Sequence, residues 1–202
     1  YYPIYPGCLL ISCEAESPLG PFKLVHPVES GSFCGHVGDM NVFKDTDGNA
    51  YVIYDDTSFD ICIDQLTSDY LTSQKEGIKL LDRMVEAPTM VHYKGKYLLA
   101  GSGVHEFDPS ETTLAVAVKV TGPYSEKQTI SQQNTWQSQI TDMIYIPDAD
   151  YVMVMCDQWF VPDKNDISKS HYLWLPLMYD PETGQGKLEY RKSWNPMKPF
   201  EK

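Results

Sequence analysis

Short apolar runs broken by Gly, Pro, Asp and Asn cover this chain, and none takes the three-to-four spacing of a long amphipathic helix. Residues 8–13 read as a short buried strand that runs into the turn Ser17-Pro18-Leu19-Gly20-Pro21-Phe22. Residues 39–43 and 50–54 alternate around Lys44-Asp45-Thr46-Asp47-Gly48-Asn49, and an Asp-Gly step between two such runs predicts a hairpin. Residues 61–66 form a third predicted strand, closed by residues 67–71. The plan then repeats. Glu86 stands alone in an apolar lead-in to a hairpin that turns at Lys94-Gly95-Lys96. Residues 113–118 follow as third strand, and Thr121-Gly122-Pro123-Tyr124 echoes Leu19-Gly20-Pro21-Phe22. A last unit runs from Ser138 to Tyr145, turns at residues 147–150 and returns through residues 151–155 to Asp157-Gln158-Trp159. It ends with residues 172–177 and 187–190.

Aligning the three hairpins places Asp39, Glu86 and Gln139 in equivalent positions, at intervals of 86 − 39 = 47 and 139 − 86 = 53 residues. A period of about 50 residues with three or four short strands per unit predicts an all-β fold of propeller blades. The first strand of each blade lines a central channel, so the three polar residues are expected at the channel mouth. The repeat by itself leaves open whether they do chemistry or only satisfy backbone groups and waters there. Three full units and the tail of one are too few to close a ring of about four to eight blades. With no Met at its start, the chain is therefore expected to be a truncated propeller, poorly folded or inactive by itself because open blade edges are exposed.

The composition narrows the partner. A formal net charge of −12 argues against nucleic acid and against an anionic membrane surface. Fourteen Tyr and four Trp, in a chain that is 12% aromatic, suit sheets and also sugar-binding faces. Cys8, Cys13, Cys34, Cys62 and Cys156 form no CxxC pair and have no His partner at metal spacing, so no metal and no cofactor are expected. Their odd number favours buried free thiols, with one disulfide as the alternative. Asp45 and Asp47 read as turn residues, since the loop is too short for a calcium-binding EF-hand.

The segment from Asp39 to Tyr54 resembles the third-blade motif of family 43 glycoside hydrolases, and Glu86-Ala87-Pro88 with Gly95-Lys96-Tyr97 resembles their fourth. Ser138-Gln139, Asp157-Gln158-Trp159 and Tyr172-Leu173-Trp174-Leu175-Pro176-Leu177 are similar to the exo-β-1,3-galactanase-like branch. The resemblance implies a five-bladed propeller in which residues 1–202 are a single catalytic-domain fragment of about three and a half blades, lacking the first and part of the second. It also implies an inverting mechanism, with Glu86 as general acid and Asp39 raising its pKa and orienting it. Gln139 would hold the attacking water near the position of the base, or simply line the channel.

Other residues keep two readings. Phe107 stands where the family carries a Trp and could stack on a sugar. Asp157 could bind sugar hydroxyls or cap a turn, and Trp159 could form a platform or pack between blades. The implied protein is a secreted or periplasmic monomer that hydrolyses an oligosaccharide or polysaccharide, β-1,3-galactan first. A β-xylosidase or α-L-arabinofuranosidase of the same family and a non-catalytic glycan- or protein-binding propeller are the alternatives.

Overall fold

A computed structural model describes residues 13–25, 33–80, 85–105, 108–159 and 166–201. It is all-β, with helical turns limited to single 3-10 turns among the described residues. The chain divides into two compact units, residues 1–84 and 85–202.

In the first unit β1 (Cys13–Glu14) pairs with β2 (Lys23–Leu24), and β3 (Met40–Lys44), β4 (Ala50–Asp55), β5 (Ile61–Leu66) and β6 (Ser73–Leu80) form an antiparallel meander in chain order. The hairpin turn forms as its sequence requires. Gly48 takes a positive φ of 90°, the Asp45 side chain accepts from Thr46 N at 2.7 Å, and that of Asp47 accepts from Asn49 N at 2.8 Å. The buried middle is β4 and β5, with Ile53, Tyr54, Cys62 and Ile63 almost fully shielded. A carboxyl lies inside this core: Asp64 accepts from Tyr54 Oη at 3.0 Å, Ser73 Oγ at 3.0 Å and Phe33 N at 2.6 Å.

Two expectations are corrected here. The strand at Cys13 is exposed rather than buried, and residues 8–12 lie outside the described residues. Cys34 and Cys62 are joined in a disulfide, and among the described residues Cys156 is a buried free thiol and Cys13 an exposed one. Tyr54 Oη, on the strand beside Cys62, accepts from Cys34 N at 2.9 Å and so holds the first cysteine over the sheet. Cys34, Asp56 and Cys62 place ligand atoms within 4.8 Å of one another, but the disulfide consumes both sulfurs.

The second unit holds a meander of β7 (Val85–Tyr93), β8 (Lys96–Gly103), β9 (Thr112–Ala117) and β10 (Gln128–Thr129). It also holds a three-stranded sheet of β11 (Gln139–Ile146), β12 (Tyr151–Gln158) and β13 (His171–Pro176), and the pair β14 (Met178–Tyr179) and β15 (Gly186–Lys187). Lys94 and Gly95 both have positive φ, as a two-residue hairpin turn of the primed type needs. One shared core joins the sheets: Leu98, Leu114, Ile140, Val152, Val154 and Leu175 are fully buried in it. Each such side chain contributes about 1.5–3 kcal/mol.

The echoed turns are alike in detail. Gly20 and Gly122 have φ of 80° and 79°, and each N–H donates at 2.9 Å to the carbonyl three residues back. A Cβ on either would press on the aromatic two residues later, so glycine is required at both.

Candidate active site

The strand that carries Glu86 is irregular where the carboxyl is placed. β7 shifts register against β8 between Glu86 and Thr89, with Ala87 at a positive φ of 49° and Pro88 contributing no N–H. Such a bulge re-aims the side chain beside it. Glu86 is 8% exposed. Its cross-strand partner is Ser102, whose buried Oγ donates to the Glu86 carbonyl at 3.2 Å. Beside it, Gly101 leaves room for the bulge. A Cβ there would collide with Val85 Cγ1 and lie 2.9 Å from the Glu86 carbonyl oxygen. Gly101→Ala is expected to displace the bulge and cost about 1–3 kcal/mol of stability. A thermal melt checks it.

β11 brings the second polar group. Gln139 Nε2 donates to Glu86 Oε1 and to Ser102 Oγ, each at 2.9 Å, so both amide hydrogens are engaged and the amide oxygen is what remains. His105 N makes a longer contact of 3.4 Å to the same Glu86 oxygen. One turn further along, Thr89 Oγ1 donates to Asp142 Oδ1 at 2.7 Å and accepts from Met143 N at 3.2 Å. These bonds tie β7 to β11, which carries its own register shift between Ile140 and Asp142. Glu86 and Gln139 are therefore held by bulged strands locked to one another.

The approach to β11 is a left-handed run. Asn134, Thr135, Trp136 and Gln137 have φ of 62°, 42°, 54° and 68°. A β-branched residue in this region is a rare outlier, held only when its surroundings overdetermine it. Thr135 is fully buried, and its Oγ1 donates to the Ser110 carbonyl at 2.6 Å and contacts the hydroxyls of Thr112 and Ser131, each at 2.9 Å. Ser138 Oγ donates to the Thr135 carbonyl at 2.6 Å, and Gln158 Nε2 to that of Trp136 at 3.0 Å. Thr135→Val, which keeps the shape and deletes the hydroxyl, is expected to lower stability by about 1–3 kcal/mol. Thr135→Ser should restore most of it, as melting of the pair would show.

A small cleft of about 10 Å³ opens beside Gln139, lined by Asp108, Pro109, Gln137, Ser138, Asp157 and Trp159. Asp157 faces Gln139 directly in the β11–β12 register, and burial pushes its carboxyl above the ordinary 3.8. Trp159 follows the end of β12, half-buried.

The sequence-predicted residues therefore divide. Glu86, Gln139, Asp157 and Trp159 come together in the second unit. Asp39 belongs to the first unit, exposed just before β3, where its carbonyl accepts from Asp55 N at 3.1 Å. Phe107 lies outside the described residues. Ser102 and Thr135 were missed. A lone Ser between two glycines in an apolar strand was a signal for the first, while nothing in Asn-Thr-Trp-Gln announces a left-handed run.

No model of a known protein family matches the sequence, and no curated protein does. Among solved structures, the chain is similar to a GH43 β-1,3-galactosidase with galactodeoxynojirimycin, at 22% identity and a TM-score of 0.78 over 92% of this chain and 67% of that one. It is similar to an exo-β-1,3-galactanase from Clostridium thermocellum at 25% identity and a TM-score of 0.77, over 89% of this chain and 42% of that one. A family 43 arabinoxylan arabinofuranohydrolase from Bacillus subtilis matches at 14% identity and a TM-score of 0.65, covering 89% of this chain and 44% of the other. The chain has the fold of these family 43 enzymes and spans about two fifths to two thirds of their length.

Proposed function

We propose that the protein carrying this chain is an exo-acting family 43 glycoside hydrolase that cleaves β-1,3-galactan with inversion. On this reading the chain makes up about three and a half blades of a five-bladed propeller. The observation that carries the proposal is the 2.9 Å bond from Gln139 to Glu86 at the heads of two first strands, in a fold shared with β-1,3-galactosidases. Glu86 is a largely buried acid bonded to Gln139, which itself lines the cleft, and such an acid can protonate a leaving sugar oxygen. Asp39 is read through the sequence resemblance alone, as the residue that orients the acid. Gln139, with its carbonyl oxygen left over, holds the attacking water.

The protein is further proposed to be a secreted or periplasmic monomer. The Cys34–Cys62 disulfide supports an oxidising compartment. Incubating the full-length protein with β-1,3-galactooligosaccharides, xylooligosaccharides and arabinoxylan tests the substrate. Galactose released first as the α-anomer, followed by NMR, is the expected result. Release of xylose or arabinose instead would favour the reading that the arabinofuranohydrolase likeness offers, and binding without turnover of any sugar would refute the enzyme.

A further inference from the structure

We propose that Asp157 is the general base of this site, taking the proton of the water that Gln139 holds. The inference rests on the hydrolase reading above and adds the partner that activates water. Gln139 does not fill that place: it is a neutral amide, and both of its N–H bonds are committed to Glu86 and Ser102. Its remaining oxygen can orient a water but is too weak a base to deprotonate it. The nearest strand supplies a carboxyl. Asp157 is the direct cross-strand partner of Gln139, on the same face of the sheet, and lines the same cleft.

Three features fit the role. Among the described residues no group hydrogen-bonds the Asp157 carboxyl, whereas Asp64 and Asp142 are both bonded. A half-buried carboxyl that lines a cleft with no partner among the described residues is open to a water. Burial also strengthens it as a base by raising its pKa. Finally, Gln139 bonds Glu86 and is registered against Asp157, so one residue connects the acid with the carboxyl proposed as base. Inverting enzymes set their two carboxyls about 6.5–9.5 Å apart to admit a water. Asp108 also lines the cleft, but from a loop rather than from a strand registered against Gln139.

The step balances. A water oxygen bonds to the anomeric carbon as the glycosidic C–O bond breaks. Asp157 receives the water's proton and Glu86 gives its own to the leaving oxygen, after which solvent returns each carboxyl to its starting state.

The test uses the full-length protein and an aryl β-galactoside with an activated leaving group. Asp157→Asn, nearly isosteric, is expected to lower kcat about 10²–10⁴-fold with an unchanged thermal melt and little change in KM. Added azide should restore turnover and give the α-galactosyl azide, because a small anionic nucleophile needs no base. A kcat within about threefold of the unmodified protein, which is under 1 kcal/mol, would overturn the assignment. So would a loss that azide does not rescue, which marks a binding or structural role, and so would azide rescue in Asp108→Asn with Asp157→Asn unaffected. If the unmodified protein hydrolyses no sugar, the hydrolase reading fails before this one is reached.

Discussion

Replacing Glu86 by Gln in the full-length protein is expected to lower kcat for a galactan oligosaccharide about 10²–10⁴-fold, with the fold intact. The side chain keeps its length and an acceptor oxygen, so the bond from Gln139 Nε2 can persist, and only the transferable proton is lost. The loss should shrink as the leaving group becomes more acidic, because a good leaving group departs without protonation. That dependence separates a missing proton donor from a disturbed site, since misplacement would slow every substrate alike. A series of aryl galactosides with leaving groups of graded acidity measures it. Undiminished hydrolysis of the natural linkage by this variant would remove Glu86 from the mechanism.

The largest expected effect on stability lies in the other unit. Asp64→Ala should destabilise the first sheet by about 3 kcal/mol or more, since each buried donor left without an acceptor costs about 1–3 kcal/mol. Three donors meet that carboxyl: Tyr54 Oη, Ser73 Oγ and Phe33 N, drawn from β4, β6 and the segment before Cys34. Asp64→Asn keeps one acceptor oxygen and should lose less. Urea unfolding reads the difference as a lower midpoint at unchanged slope, and an unchanged midpoint in Asp64→Ala would show that water replaces the carboxyl without cost.

How much of this was legible beforehand follows from what each signal depends on. Strands β3, β4 and β5 fell within about a residue of their predicted limits because Asp-Gly turns and apolar alternation are local. The third strand of the next sheet ends at Ala117 rather than Val118, which is 67% exposed. The outer strand β6 was not seen, because Ser-Gln-Lys-Glu-Gly carries no apolar face and is strand only by pairing with β5. The short β10 owes its place to β9 in the same way. The predicted strand at residues 187–190 shrinks to Gly186–Lys187, since Leu188 instead donates its N–H to the Ile130 carbonyl at 2.6 Å.

The cysteines show the same limit. An odd count with no spacing motif favoured free thiols, whereas the fold places Cys34, 28 residues before Cys62, against it. No sequence window of local size contains that meeting.

By itself the sequence determined an all-β chain, the period near 50 residues, and the three polar residues Asp39, Glu86 and Gln139 at the heads of first strands. Alternation and turn chemistry act over a few neighbours, and a repeat needs only self-similarity. Tertiary structure alone decided that Gln139 spends both amide hydrogens on Glu86 and Ser102. It also decided that Asp157 lies opposite Gln139, and that a buried Thr135 holds a left-handed approach to β11. Each of these depends on strand register and on contacts between residues 15 to 60 positions apart, for which a local pattern carries no information.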